Sequence, residues 1–194
     1  MGKYFGTDGF RGEANVKLTV DHAFKVGRYV GWYYGRNHKA KIVIGKDTRV
    51  SGDMLESALT AGILAVGGNV IRAGVIPTPA IAYLAKYYKA DAGIVISASH
   101  NTFEYNGIKF FNGEGYKLDD DIEEEIEDII ISSIDVNSHI TGELIGRCLD
   151  ASEDAAELYA AHLLETVDFR LDGIKVALDC ANGASYRIAP KVYE

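Results

Sequence analysis

Short apolar runs alternate along this chain with longer segments in which apolar residues recur every three or four positions. Residues 41–45, 69–75 and 92–97 are brief, apolar and bounded by turn-forming residues, as is typical of buried strands. Between them, Ser51 is predicted as the N-cap of one helix, and Thr78 opens another with Pro79 at its first position. Alternating strands and helices joined by short links predict a layered α/β domain.

Each helical segment presents one apolar face, and a third helix is predicted after Thr19 as its N-cap. Gly67-Gly68-Asn69 ends the helix that follows Ser51, and residues 107–111 predict a fourth strand. The predicted buried faces are Ala23, Val26, Gly27, Val30 and Tyr34 in the first helix, Leu55, Ala58, Leu59, Gly62 and Val66 in the second, and Ile81, Leu84, Ala85 and Tyr88 in the third.

The segment from Asp119 to Ile134 is dense in carboxylates. It lacks the ligand spacing and the glycine of an EF-hand loop, which argues against calcium. Its isoleucines, Ile122, Ile126, Ile129 and Ile130, fall at helical spacing. An amphipathic helix with a solvated acidic face is therefore predicted.

The end of the chain predicts a second α/β unit. A helix is expected around Ala155–Thr166, a strand over residues 173–179, and a turn into a further helix at Asn182-Gly183-Ala184. One strand and an incomplete helix cannot pair their edges or bury their faces. We therefore expect a first domain over residues 1–150 and a truncated second domain over residues 151–194.

Composition places the chain among globular proteins. It has 194 residues, 47% of them hydrophobic and 25% charged, and a net charge of -8. No apolar run approaches the ~20 residues of a membrane span, and the start lacks a signal-peptide core, so a cytoplasmic location without membrane contact is expected. Cys148 and Cys180 suggest neither a disulfide framework nor a zinc site. The acidic balance disfavours nucleic acid but allows a small anionic ligand in a local positive cleft.

The chemistry-bearing segment with the most distinct pattern is Gly93-Ile-Val-Ile-Ser-Ala-Ser-His-Asn101. An apolar strand ends in a polar turn that carries Ser99, His100 and Asn101, and Lys109 follows shortly after. Ligand sites in open α/β sheets favour the carboxyl ends of strands. A plain turn remains an alternative, because Ser and Asn also bond to their own backbone.

Two further segments carry glycines and basic residues. Tyr4-Phe-Gly-Thr-Asp-Gly-Phe-Arg-Gly12 places Arg11 where it could clamp a phosphate, or be a solvated arginine on a surface turn. Gly45-Lys-Asp-Thr-Arg-Val-Ser-Gly52 leads from a strand into a helix N-terminus, a natural anion site, or a loop in which Asp47 and Arg49 merely pair. The motifs GxxxxGK[ST], GxGxxG, GxSxG and HExxH do not occur in the sequence.

These segments, with Asn106-Gly-Ile-Lys109 and Leu178-Asp-Cys-Ala-Asn-Gly183, occur in the order in which the α-D-phosphohexomutase superfamily carries them, and the chain closely resembles that family throughout. The resemblance is strongest to members that act on glucosamine phosphates, whereas those acting on glucose or mannose phosphates more often carry Thr-Ala-Ser-His-Asn-Pro. Here Thr102 stands in the place of that proline. The fold expected is a three-layer α/β/α domain with a mixed, mostly parallel sheet, followed by a truncated α/β domain.

The resemblance also implies a mechanism. Ser99 is expected as a phosphoserine that exchanges its phosphoryl group with glucosamine 6-phosphate or glucosamine 1-phosphate through glucosamine 1,6-bisphosphate. Mg²⁺ is expected to bind the phosphoryl oxygen on Ser99 and Asp residues of a second domain that this chain does not contain. Lys109 is expected to transfer the proton, with Arg11 and His100 near the transferring group. Lys46, Arg49 and Asn101 are expected to support the phosphate, and no role is assigned to Asp8 or Asp47. The expected partners are a small phosphosugar and, in a possible homodimer, a second copy.

Two alternatives stay open at this point. The substrate could be a mannose or glucose phosphate, or the chain could be a catalytically silent fragment that only binds anions or dimerises. A serine hydrolase is disfavoured, because neither an elbow motif nor an orienting acid accompanies Ser99. The histidines His22, His38, His139 and His162 are scattered and are expected to be ordinary surface or helix residues.

Overall fold

The computed structural model of the chain describes residues 5–6, 9–132, 140–168 and 172–194. Its strands are β1 (Phe5–Gly6), β2 (Gly9–Glu13), β3 (Lys41–Lys46), β4 (Asn69–Val75), β5 (Ala92–Ile96), β6 (Tyr105–Asn112) and β7 (Cys148–Asp150). Its helices are α1 (Val20–Tyr34), α2 (Ser51–Ala65), α3 (Thr78–Tyr87), α4 (Asp120–Ser132), α5 (Ser152–Glu165) and α6 (Ile188–Tyr193), with a 3₁₀ turn at Gly142–Leu144. The strands predicted around residues 41, 69 and 92 are confirmed to within a residue or two.

The strands form a single mixed sheet in the order β1-β2-β6-β5-β3-β4-β7. Strands β5, β3, β4 and β7 are parallel neighbours, whereas β6 is antiparallel to both β5 and β2, and β1 is antiparallel to β2. Strands β6 and β1 thus run against the direction of the other five. The mixed, mostly parallel sheet expected from the resemblance is confirmed.

Helices cover both faces of this sheet. One core joins Ile42, Ile44, Ile94 and Ile96 of the central strands to apolar residues of α1, α2 and α4. The other joins Val43 and Val95 to residues of α3 and α5. Adjacent strand residues point to opposite faces, so the continuous apolar runs of β3 and β5 serve both cores. The three-layer α/β/α architecture follows directly.

The close packing of α1 against α2 depends on two glycines. A Cβ built on Gly27 would lie 2.3 Å from the Leu59 carbonyl oxygen, and one on Gly62 would lie 2.3 Å from the Phe24 carbonyl oxygen. The helix backbones therefore touch where no side chain intervenes. At its start, α1 has the predicted N-cap, because Thr19 Oγ1 accepts a hydrogen bond from the His22 backbone N–H at 3.3 Å.

Two details of the predicted helix starts are wrong. Ser51 is the first residue of α2 and not its N-cap, and the cap position is held by Val50 without a side-chain bond. Ser51 Oγ instead accepts a hydrogen bond from Asn106 Nδ2 at 2.9 Å, so β6 competes for the capping hydroxyl. Helix α3 begins at Thr78, which makes Pro79 its second residue; the missing proline N–H is tolerated equally well there.

The strand predicted over residues 173–179 does not form among the described residues. Residues 174–180 carry no regular structure, and Ile174, Val176 and Leu178 are exposed. An alternating apolar pattern becomes a strand only when a neighbouring strand accepts its hydrogen bonds. Helix α5, close to the predicted Ala155–Thr166, packs through Ala155, Ala156 and Tyr159 into the α3 side of the main sheet. The division of the chain at residue 150 stays a prediction.

The acidic segment forms helix α4 as predicted, with Ile126 buried and Ile122 packed partly against the core. Its acidic face is not wholly solvated as expected, because Glu123 and Glu127 are buried. The side chains of Ile129 and Ile130 lie outside the described residues, as do Asp8 and His139. Within the described ranges, no helix is both long enough and apolar enough to cross a membrane.

Candidate active site

Ser99 lies three residues beyond the carboxyl end of β5, on a turn that exposes it. Its φ angle is +57°, a left-handed conformation that costs an L-residue about 1–2 kcal/mol. Ser97 and Ala98, directly before it, are buried. A buried approach and an unfavourable backbone angle together mean that the surrounding structure holds this serine in place.

A relay of hydrogen bonds runs from the loop after β3 to Ser99. Asp47 Oδ2 accepts the Ser97 hydroxyl at 2.7 Å, and Ser97 Oγ accepts the Ser99 backbone N–H at 3.1 Å. The Asp47 backbone N–H bonds to the Ile96 carbonyl oxygen at 3.0 Å. Asp47, to which the sequence analysis assigns no role, therefore bonds to Ile96, the last residue of β5, and to Ser97, the residue after it.

Arg49 ties the same turn together from outside. Its Nη2 donates to the carbonyl oxygens of Ser99 at 3.0 Å and of Asn101 at 2.8 Å. Its Nη1 donates to those of Thr102 at 2.6 Å and of Tyr105 at 3.0 Å. Its Nε donates to Asp47 Oδ2 at 2.9 Å. The structure thus contains the Asp47–Arg49 pair that the sequence analysis gave as an alternative to an anion site.

A cleft of about 920 Å³ opens in front of Ser99. One wall consists of the serine turn, including His100 and Asn101, another consists of residues 181–186, and residues 47–50 and 77–79 complete the lining. His100 Nδ1 lies 3.5 Å from Ser99 Oγ, within reach of a group bound there. Thr48 joins the two walls by donating its hydroxyl to the Asn182 carbonyl oxygen. Four predicted site residues, Ser99, His100, Asn101 and Arg49, therefore line one common cavity.

Arg11 and Lys109 occupy neighbouring strands behind this turn. Arg11 of β2 is opposite Gly107 of β6, so its side chain lies on the same face of the sheet as that of Lys109, two residues along β6. Lys109 is 9% exposed and is opposite Val95 of β5. The structure brings these two basic residues together on one sheet face, one strand away from the serine loop. Neither lines the cleft walls described above.

Gly107 of β6 lies between the serine loop and the Arg11 side chain. Its carbonyl oxygen accepts the Ser97 backbone N–H at 2.9 Å. A Cβ at this position would lie 2.7 Å from the Ser97 carbonyl oxygen and 3.0 Å from Arg11 Cγ. Only glycine allows the serine loop and the Arg11 side chain to approach β6 this closely.

Lys46, expected to support the phosphate, points elsewhere. Its Nζ lies 2.8 Å from Asp53 Oδ1 and also contacts Glu56 Oε2. Burial opposes the lysine charge, but the hydrogen bonds that Lys46 donates to the Asp53 and Glu56 carboxylates outweigh it and raise the pKa of Lys46. Lys46 lines a separate cavity of about 240 Å³, beside Arg72 and Asp150, and not the one in front of Ser99. The structure therefore does not bring Lys46 together with the serine turn.

The residues that the structure describes do not by themselves make a magnesium site. Within the described ranges, no group of three or more His, Cys, Asp or Glu side chains is placed to hold a metal ion. Asp47 is the acidic residue that lines the cleft, and its two oxygens already accept bonds from Arg49 and Ser97. The described residues offer a metal at this place Ser99, with any group attached to it, and the neighbouring side chains of His100 and Asn101.

The site residues missed by sequence reasoning are Ser97, Asp47 and Thr48. Their available signal was position, since all three follow the carboxyl ends of adjacent parallel strands, β3 and β5. Side chains at that edge of a sheet converge even when they are 50 residues apart, as Asp47 and Ser97 are.

Comparison with known proteins finds relatives of this chain in sequence and in fold. Residues 2–135 match the family model described as phosphoglucomutase/phosphomannomutase, alpha/beta/alpha domain I. Two curated relatives named phosphoglucosamine mutase, from Clostridium novyi and Clostridioides difficile, are 55% and 53% identical to the chain over its whole length. The chain spans 43% of the length of each of these relatives.

Solved structures with similar folds include two from this group. A phosphoglucomutase/phosphomannomutase family protein from Burkholderia thailandensis matches the whole chain and 42% of its own length, with a TM-score of 0.81 and 25% identity. A putative phosphomannomutase from Thermus thermophilus matches 87% of the chain and 37% of its own length, with a TM-score of 0.68 and 26% identity. Since the family model covers more than two thirds of the chain, from β1 through α4, the chain belongs to the phosphoglucomutase/phosphomannomutase family.

Proposed function

We propose that this chain is the phosphoserine-bearing part of a mutase that interconverts glucosamine 6-phosphate and glucosamine 1-phosphate. The observation that carries the proposal is Ser99, exposed on a braced left-handed turn in front of a cleft large enough for a phosphosugar. The names of the curated relatives support glucosamine as the sugar. Membership of the phosphoglucomutase/phosphomannomutase family supports phosphoryl transfer as the chemistry.

In the proposed reaction, Ser99 first acts as a donor of a phosphoryl group and not as a nucleophile. With a phosphoryl group on Oγ, the bond between phosphorus and Ser99 Oγ breaks as a bond forms to a free hydroxyl of the sugar phosphate. The sugar hydroxyl loses its proton and the serine oxygen gains one, which leaves a 1,6-bisphosphate and free Ser99. After the bisphosphate turns in the cleft, its other phosphoryl group returns to Ser99 by the reverse of the same steps. Such transfers depend mainly on positioning and on stabilising charge.

The described residues supply parts for these tasks. His100, 3.5 Å from Ser99 Oγ, and Asn101 border the transferring group. Arg11 and Lys109 place positive charge on the sheet face next to the turn, where the resemblance assigns proton transfer to Lys109. In this proposal Lys109→Ala lowers turnover about 10²–10⁴-fold, the usual contribution of a general acid or base, and leaves substrate binding nearly unchanged.

Magnesium enters the proposal through the phosphoryl group on Ser99. A phosphoryl oxygen is a hard ligand that suits Mg²⁺, and the ion would neutralise charge on the transferring group. The remaining ligands would be Asp residues outside this chain, as the resemblance implies. A second copy of the chain as partner and a cytoplasmic location stay predictions.

The proposal is tested on the full-length protein that carries this chain, purified without phosphatase exposure. Intact-mass spectrometry with site mapping is expected to find one phosphoryl group on Ser99. The wild type is expected to turn over glucosamine 1-phosphate and glucosamine 6-phosphate. This activity is expected to be lost in Ser99→Ala and kept in Ser57→Ala, because the Ser57 hydroxyl donates to the Asp53 carbonyl oxygen within α2. Activity that persists in Ser99→Ala overturns the assignment of the phosphoserine.

A second substrate class is favoured by the family description, which names glucose and mannose mutases. A panel of glucosamine, glucose and mannose phosphates separates the readings by kcat/KM. A preference of tenfold or more for a glucose or mannose phosphate would reject glucosamine while leaving the mutase chemistry intact. No turnover of any of the three by the full-length protein would reject the proposed mutase activity.

A further inference from the structure

The guanidinium of Arg49 has no donor left for a ligand. An arginine side chain has five N–H donors. In this structure one bonds to Asp47 and four bond to the backbone carbonyl oxygens of Ser99, Asn101, Thr102 and Tyr105. Any hydrogen bond from Arg49 to a phosphate would require one of these bonds to break.

The four carbonyl acceptors of Arg49 belong to the turn that carries Ser99 and to the first residue of β6. The Asp47 carboxylate anchors this arrangement to β3, since it accepts Arg49 Nε at 2.9 Å and the Arg49 backbone N–H at 3.1 Å. The Arg49 side chain is 9% exposed and that of Asp47 is 15% exposed. Because this ion pair is largely buried and all its donors are bonded, it cannot move without breaking hydrogen bonds. It therefore fixes the turn relative to the end of β3.

Ser97 provides a second connection from the same carboxylate. Its hydroxyl donates to Asp47 Oδ2 and accepts the Ser99 N–H, which leaves the Ser99 backbone bonded on both its N–H and its C=O side. Ser99 lacks the conformational freedom of a glycine, so these hydrogen bonds hold its φ in the left-handed region. The direction of Oγ depends on that backbone angle.

We propose that Arg49, Asp47 and Ser97 are positioning residues that aim Ser99 Oγ into the cleft, and that Arg49 acts on the backbone of the turn and not on the phosphate of the substrate. The consequence for turnover rests on the proposed function, whereas the consequence for the turn itself does not. A misplacement of about 1 Å in a reacting group lowers turnover about 10²-fold.

The first test separates positioning from phosphate binding in the full-length protein. Arg49→Lys keeps the charge but cannot replace five fixed donors. Positioning predicts that kcat falls about 10²-fold in Arg49→Lys, with KM for the phosphosugar changed less than threefold. Phosphate support predicts the reverse, a raised KM with kcat largely kept, and that result would overturn the proposal. Arg72→Lys is the matched control, since Arg72 also pairs with an aspartate, Asp150 at 2.9 Å, but outside the cleft.

A milder variant guards against loss of the fold. Ser97→Ala removes one hydroxyl and keeps Arg49, and it is expected to lower kcat at least tenfold without raising KM. Ser57→Ala, which removes a hydroxyl from α2, is its control. A Ser97→Ala protein with unchanged kcat would overturn the role of Ser97.

The second test does not depend on any mutase activity. Amide hydrogen exchange over residues 97–105 is expected to be at least tenfold faster in Arg49→Lys and Ser97→Ala than in the wild type, and unchanged in the two control variants. Equal exchange in all five proteins would overturn the proposal even if the enzyme is active. Faster exchange in a protein that turns over no phosphosugar would instead support the positioning role and reject the proposed function.

Discussion

Replacing Lys46 by methionine gives the sharpest test of how this structure treats buried charge. The Lys46 side chain is 13% exposed and that of its partner Glu56 is 6% exposed. Among the described residues, Glu56 Oε1 is buried without a hydrogen-bond partner, so Oε2 and its contact with Lys46 carry the stabilisation of this carboxylate. Lys46→Met leaves a buried negative charge without its counter-ion. Breaking such a pair costs about 3–5 kcal/mol.

The assay is urea unfolding of the chain at pH 7, followed by circular dichroism. The pKa of Lys46 is raised, so the contribution of the pair is complete at neutral pH and is lost only as the pH rises through that raised value.

Two companion variants identify the cause. Adding Glu56→Met to Lys46→Met removes the lone charge and is expected to recover most of the stability. Asp53→Asn removes the other partner of Lys46. The Asp53 side chain is 85% exposed, so this variant is expected to lower the free energy of unfolding by at most about 1 kcal/mol. A cost below about 1 kcal/mol for Lys46→Met, with no recovery in the double variant, would refute this reasoning. If Lys46→Met instead raised KM for the phosphosugar in the full-length protein without lowering stability, Lys46 would be a phosphate ligand, as the sequence analysis expects.

Two further predictions concern β6 and the tyrosines of α1. Gly107→Ala forces a methyl to within 2.7 Å of the Ser97 carbonyl oxygen and is expected to cost about 1–3 kcal/mol and to lower kcat. Unchanged urea unfolding and unchanged kcat in this variant would contradict the close approach at Gly107. Burial, with smaller effects of neighbouring negative groups, raises the pKa of Tyr34 to about 12, so its contribution to stability is complete below pH 10 and is lost between pH 10 and about 12. Thermal unfolding at pH 8 and pH 11 is expected to show a smaller alkaline loss in Tyr34→Phe than in wild type, and equal losses would contradict that assignment.

The elements of the central layers could be predicted from the sequence because their signals are local. Strands β3, β4 and β5 are short apolar runs that glycines, prolines and polar residues bound on each side, and these local signals are enough to place them. Helix α1 has its capping threonine and its apolar stripe within a few turns. Ser99 was likewise a candidate from its position after an apolar strand.

The segment over residues 173–179 shows where local signals fail. Its sequence has the alternation of a strand, yet within the described residues it carries no strand, because pairing needs a neighbour that its own sequence does not supply. Ser51 is a similar case. Its hydroxyl suits a helix cap, but Asn106, 55 residues away, donates to it.

By itself, the sequence determined the class of fold, the family and the serine that faces the cleft, since each depends on residue types in a fixed order. The tertiary structure decided what the basic residues around that serine do. Lys46 and Arg49 are close in sequence and alike in charge, but one pairs with a helix carboxylate and the other braces backbone as far as Tyr105. The physical reason is that the role of a charge is set by the acceptors within hydrogen-bond distance, and folding brings those acceptors from distant parts of the chain.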